Sequence, residues 1–292
     1  MWFYLALLSA FFNALANIAR RTHGSLAQPV ELAWWTGLFS LPLGIGLVLI
    51  SNQPLWTDNN YILPITISAV LSTYGHVLLF RAYKFADAST VSPISNLLPI
   101  ALVITSFLIL GIVPSILGLC GVLLVVCGLY YSSVSGKHKL GHPLRQLLKS
   151  RGSRAMLGWV LLMSVNAALA KIALGSASAE YLMFFSLVIE FALFSIYLLI
   201  RPRKNRVRHG EKVIRKWGWH IAAIAVFATL NVFFMLKAIS LVDPSYALSV
   251  KRLDVLITIL LAGLFLKEKH ILRRFKGSVI ALAGVVLIVM AN

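Results

Sequence analysis

The stretch Ser245–Glu268, SYALSVKRLDVLITILLAGLFLKE, decides how this chain is read. At about 1.5 Å per residue, a helix of this length crosses the ~30 Å hydrocarbon core of a bilayer. Its middle nevertheless carries Lys251, Arg252 and Asp254. A charge at that depth costs at least ~2.5 kcal/mol on insertion scales, and persists where it faces a protein interior or a water-filled cavity. The stretch therefore predicts a membrane helix lining a cavity, with Lys251 and Arg252 turned towards whatever the cavity binds.

The rest of the chain agrees. Its 292 residues are 59% hydrophobic and 12% charged, with mean hydropathy +0.87. A soluble domain carries roughly twice that share of charge. Apolar residues fall in blocks of about 20, the length of a membrane helix, whereas barrel strands are shorter and alternate in polarity. Ten spans are predicted, at 3–19, 29–50, 61–80, 88–109, 113–133, 156–175, 179–200, 217–239, 244–266 and 275–291. The first has no basic run before it and is followed by Arg20 and Arg21, unlike a signal peptide. Asp87 and Asp243 read as helix N-caps, Pro244 suits a first helical position, and Pro99 predicts a kink in the fourth span.

The net charge is +18, from 27 Lys+Arg against 9 Asp+Glu. No recognition motif accompanies it, so no nucleic acid is expected. Basic loops that set topology and touch anionic membrane lipid account for it. Apart from Lys171, Lys237, Lys251 and Arg252, every Lys and Arg lies in an odd-numbered connection between spans. Positive charge resists translocation, so those connections are expected in the cytoplasm and both termini outside, in a bacterial inner membrane. Cys120 and Cys127, seven apart in one apolar block, suit a packed helix face rather than a disulfide framework. No metal-ligand set, phosphate loop or clustered nucleophile and base stands out, so no cofactor, metal or enzyme activity is expected.

The chain also repeats itself. Asp87 falls on Asp243, Ser89 on Ser245, Gly121 on Gly277 and Gly128 on Gly284, at a constant offset of 156 without a gap. Ala14–Ala19 matches Ala168–Ala173 at an offset of 154. The expected architecture is all-α: a first five-helix repeat at 1–134, a basic cytoplasmic linker at 135–155 and a second repeat at 156–292. An odd number of spans per repeat inverts the second half relative to the first, a common build for secondary transporters.

With these features the chain resembles the drug/metabolite transporter superfamily. The run Gly263–Glu268, then Gly277 and Ala283–Ile288, is similar to the EamA-like pattern of a helix ending in Glu followed by a glycine-bearing last helix. The first half departs from it, with Ile112 in the place of Glu268. Ser249-Val250-Lys251-Arg252 is similar to the Lys-Arg pair of triose-phosphate and nucleotide-sugar type members. There the resemblance implies that the pair holds a substrate phosphate. It also implies ten helices in two inverted halves that move a small metabolite across a membrane.

Several residues could carry the chemistry. Ser245, Ser249 and Arg252 share one face of the ninth span, at spacings of four and three. Ser89, Ser92, Asn96 and Pro99 form a face of the fourth, and the repeat sets Arg252 opposite Asn96. A guanidinium there would bind phosphate or carboxylate through two parallel hydrogen bonds, and Lys251 would add a point charge. The competing reading pairs Lys251 with Asp254 to stabilise packing. Further candidates for substrate contact are Asn13 and Asn17 in the first span, His76 in the third and Asn231 in the eighth. Glu190 and Asp254 are candidates for coupling or gating, because an intramembrane carboxylate is costly without a task. Trp34, Trp35, Trp56, Trp217 and Trp219 suit an interfacial belt. The expected function is secondary transport of a small, anionic organic metabolite by alternating access. The alternative is export of an amino acid or an amphipathic metabolite or drug, and a remote one is a non-transporting membrane scaffold or a membrane enzyme.

Overall fold

A computed structural model describes residues 1–23, 29–51, 54, 56–86, 88–133, 150–200, 210–266 and 271–291. Its elements are α1 (Trp2–His23), α2 (Pro29–Ile50), α3 (Ile62–Phe85), α4 (Ala88–Ser95), α5 (Leu98–Thr105), α6 (Ile116–Ser133), α7 (Arg151–Ala173), α8 (Ala179–Ile200), α9 (Gly210–Leu241), α10 (Pro244–Lys251), α11 (Asp254–Leu266) and α12 (Ile271–Met290). A π-helical turn, Ser106–Leu110, extends α5. Counting α4–α5 and α10–α11 as one rod each gives ten rods among the described residues, one for every predicted span. Seven of them, α1, α2, α3, α4–α5, α7, α8 and α9, are long and apolar enough to cross a membrane. No strand occurs among the described residues; Trp56 and Ala177 form an isolated bridge.

Local chemistry fixes several ends. The Asp243 carboxylate accepts from the Ser245 amide at 2.6 Å and Pro244 opens α10, the cap expected from sequence. Ser150 caps α7 in the same way, accepting from the Ser153 amide at 2.9 Å. The helix thus begins at 151, inside the stretch predicted as linker; 135–149 lies outside the described residues, as do Asp87 and Glu268.

The fourth and ninth rods are broken, and at matching places. Turns interrupt them at Asn96–Leu97 and at Arg252–Leu253. These are the same positions of the repeat, since Asn96 falls on Arg252 and Leu97 on Leu253. In the fourth rod the cause is Pro99, which has no N–H to return to the Ser95 carbonyl four residues earlier. The expected kink takes the form of a two-residue turn between α4 and α5. Lys251 closes α10 and Asp254 opens α11, on either side of the second turn.

α1 lies on α9 and α11, and α7 lies on α3 and α5. Buried Ala6, Ala10 and Ala14 let the neighbours of α1 approach closely. α2 packs on α8, and α6 on α12. In the last pair Gly121 meets Gly284 and Gly128 meets Gly277. A Cβ on Gly121 would stand 2.7 Å from the Gly284 carbonyl, and one on Gly284 2.6 Å from that of Gly121. Position rises along α6 as it falls along α12, so the two helices are antiparallel. Cys120 and Cys127 are exposed, not packed. The neighbouring Gly121 and Gly128 form the packed face instead, because only they let backbone meet backbone.

Candidate functional site

The two breaks face each other. Arg252 Nη2 donates to the Ser95 carbonyl at 3.0 Å. This is the carbonyl that Pro99 leaves without a helical donor, so the guanidinium supplies across the halves what the fourth rod cannot supply itself. Asn96, 1% exposed, donates from Nδ2 to the Leu129 carbonyl at 3.2 Å. Asp254 opens α11 and accepts from Asn13 Nδ2 on α1 through one carboxylate oxygen. Its other oxygen is buried and has no partner among the described residues. The site thus joins α1, α4, α5, α6, α10 and α11 around one Arg and one Asp. Lys251, half-buried at the end of α10, adds a second positive charge to the single negative one.

The other predicted residues divide. Ser92 is half-buried near the break, and its carbonyl takes the Ser95 hydroxyl at 2.8 Å. Ser249 is buried and spends its hydroxyl on its own helix, donating to the Ser245 carbonyl at 2.7 Å. Asn231 accepts from Ser9 at 2.9 Å, tying α9 to α1. The equivalent helix pair, α3 and α7, is tied by Ser68 donating to Asn166. Asn17 is half-buried on α1. His76 lies beside the Phe194 ring of α8, and its Nδ1 has no partner among the described residues. Glu190 is half-buried on α8, and no hydrogen bond or ion pair reaches it among the described residues. Neither His76 nor Glu190 is hydrogen-bonded to the group at the breaks. Trp34 lies inside the bundle, its indole donating to Ser195 at 2.8 Å, so it ties α2 to α8 rather than only marking an interface.

Reading the sequence missed a second polar cluster at the even connections. Lys237 pairs with Glu180 at 2.7 Å. Lys171 donates to the carbonyls of Ile239, Ser240 and Val242 at 2.7, 3.1 and 3.1 Å, neutralising the C-terminal end of α9. The Thr57 amide donates to the Ser176 carbonyl at 2.8 Å. A shallow depression of about 230 Å³ remains, lined by Trp56, Thr57, Ser176, Lys237 and Ser240. The sequence signal for this cluster was the isolation of Lys171 and Lys237 among connections that otherwise lack Lys and Arg.

Seven helices long and apolar enough to cross a bilayer, with charged residues where two interrupted rods meet, define an integral membrane protein. The chain belongs to the EamA-like transporter family, which matches residues 1–134 and 151–290. It is thus a membrane transporter of the drug/metabolite transporter superfamily. No curated protein matches it. A solved structure described only as the crystal structure of a protein shares the fold. It is 16% identical with a TM-score of 0.69, over 99% of this chain and 95% of its own.

Proposed function

We propose that the chain is a secondary transporter of a small anionic metabolite, bearing phosphate or carboxylate, and that it works by alternating access. The observation that carries this reading is Arg252, which stands in a helix break against the Ser95 carbonyl. One of its five N–H donors is used there, and the planar fork suits a carboxylate or phosphate. Lys251 adds charge, as the resemblance to phosphate-exchanging members implies. Asn96, Ser92, Ser249, Asn13, Asn17, His76 and Asn231 complete the proposed lining, with Asp254 a coupling group.

Alternating access rests on two inverted repeats, 1–134 and 156–292, rocking about the pairs α2–α8 and α6–α12. The reciprocal contacts Gly121–Gly284 and Gly128–Gly277 support this reading. They relate two equivalent, antiparallel helices, as a two-fold axis in the membrane plane would. Both termini lie outside a bacterial inner membrane. One observation favours a second reading: Glu190, half-buried and without an ion pair among the described residues, would suit a cationic drug.

Purified protein in vesicles, offered labelled phosphorylated, carboxylated and cationic metabolites, tests both. Uptake of an anion should fall at least about tenfold in Arg252→Ala, the loss of a charged hydrogen-bonded contact. Intact anion uptake in Arg252→Ala, with cation uptake abolished by Glu190→Gln, would reverse the assignment.

A further inference from the structure

We infer that the Lys237–Glu180 ion pair is one of two alternating gates, and that Glu31 and Arg81 form the other. This rests on the inverted-repeat reading above. Lys237 and Glu180 join α9 to the first turn of α8 at the face of the even connections. The repeat places Lys237 on Arg81, near the end of α3. It places α8 on α2, two helices of 22 residues each. α2 also carries one acidic residue in its first turn, Glu31. Each half therefore owns a carboxylate at the start of its second rod and a cation near the end of its third. Inversion puts the two pairs on opposite faces of the membrane.

Only one pair is closed. Lys237 and Glu180 are 2.7 Å apart and largely covered, with side chains 27% and 10% exposed. Arg81 is exposed and Glu31 half-buried, and they are not paired with each other. The helices show the same difference. α8 packs on α9, whereas the equivalent α2 and α3 make no comparable contact. Every other major packing of these rods has its counterpart: α2–α9 matches α8–α3, and α1–α9 matches α7–α3. The α8–α9 contact that lacks a counterpart lies where a gate would open.

The closed face is also laced by the Thr57–Ser176 backbone bond, the 4.9 Å contact of the Trp56 and Tyr181 rings and the three carbonyl bonds of Lys171. The even connections are thus closed, whereas among the described residues Glu31 and Arg81 at the basic face are not paired with each other. In the opposite state Lys237 and Glu180 part, and Arg81 meets Glu31. An ion pair suits this task because its strength in a half-wet site is modest, so the two states stay close in free energy.

The test is oxidative cross-linking of full-length protein in lipid nanodiscs, with Cys120 and Cys127 replaced by Ala. In that background Glu180→Cys with Lys237→Cys should cross-link fast, and Glu31→Cys with Arg81→Cys slowly. Adding Lys237→Gln to the second pair should raise its rate about fivefold, the shift expected from losing one partly exposed ion pair. The exchange Glu180→Lys with Lys237→Glu should restore the slow rate. An unchanged rate with Lys237→Gln, or no restoration by the exchange, would overturn the gate. Loss of folding in a cysteine pair would show in size-exclusion profiles. Spin labels at Thr57 and Ser240 then report the same opening as a longer distance in Lys237→Gln, and an unchanged distance would overturn the gate equally. No transported solute is needed. Failure of every anion to move would sink the substrate reading and leave the gate standing.

Discussion

A buried carbonyl without a donor costs about 1–3 kcal/mol, and Pro99 creates one at Ser95. Arg252 meets that need at 3.0 Å, so Arg252→Ala removes both a structural bond and the proposed anion contact. The two roles separate in a double variant. Arg252→Ala should lower thermal stability in detergent by several degrees. Adding Pro99→Ala returns an amide to Ser95 and should recover much of that loss, without restoring anion binding measured by calorimetry. Recovery of both would make Arg252 purely structural. Loss of binding with no stability change would make the Ser95 bond incidental. Here the sequence was half legible. Charge in the ninth span singled out Arg252, and the repeat set Asn96 opposite it. The role of the Ser95 carbonyl was implicit in a proline four residues on, but its donor is 157 positions away, and only tertiary structure brings it there. Ser249 shows what spacing alone leaves out. Its spacing set it on the face of Arg252, yet a serine in an apolar helix can satisfy itself on the carbonyl four back, and it does.

At the scale of elements, the repeat made the glycines readable as scaffold but not their partners. Matching Gly121 with Gly277 says that the two are equivalent, not that each meets the other's neighbour. The contact Gly121–Gly284 is set by antiparallel crossing of α6 and α12. Membrane helices lack a hydrophobic drive to associate and depend on close packing, so this seam is sensitive to volume. Gly284→Leu should destabilise by about 1–3 kcal/mol through overpacking, read as a lower unfolding midpoint. Cys120→Leu, on the exposed side of α6, should leave the midpoint within error. Equal loss in both would remove the glycine seam from the account. The breaks were legible only in part. Proline announced the first. The second has no proline and falls where Arg252 and Asp254 turn to partners on other helices, which no local pattern reveals.

For the whole molecule, ten apolar blocks fixed the class because bilayer thickness fixes helix length. Orientation rests on a different physical term, the cost of moving Lys and Arg across the membrane. The asymmetry is strong: the connection at 201–216 alone holds Arg201, Arg203, Lys204, Arg206, Arg208, Lys212, Arg215 and Lys216, against Lys171 and Lys237 for all even connections. Those two exceptions are consistent with the rule, since each is neutralised by protein, Lys171 by the end of α9 and Lys237 by Glu180. A reporter active only outside the cytoplasm should therefore score when fused after Asn292 and stay silent when inserted at 203. Replacing the eight basic residues of 201–216 by Gln should weaken that discrimination, because each cation there adds to the bias. A silent fusion after Asn292 alongside an active insertion at 203 would invert the topology. It would carry the two gates with it to opposite compartments, and leave their geometry unchanged.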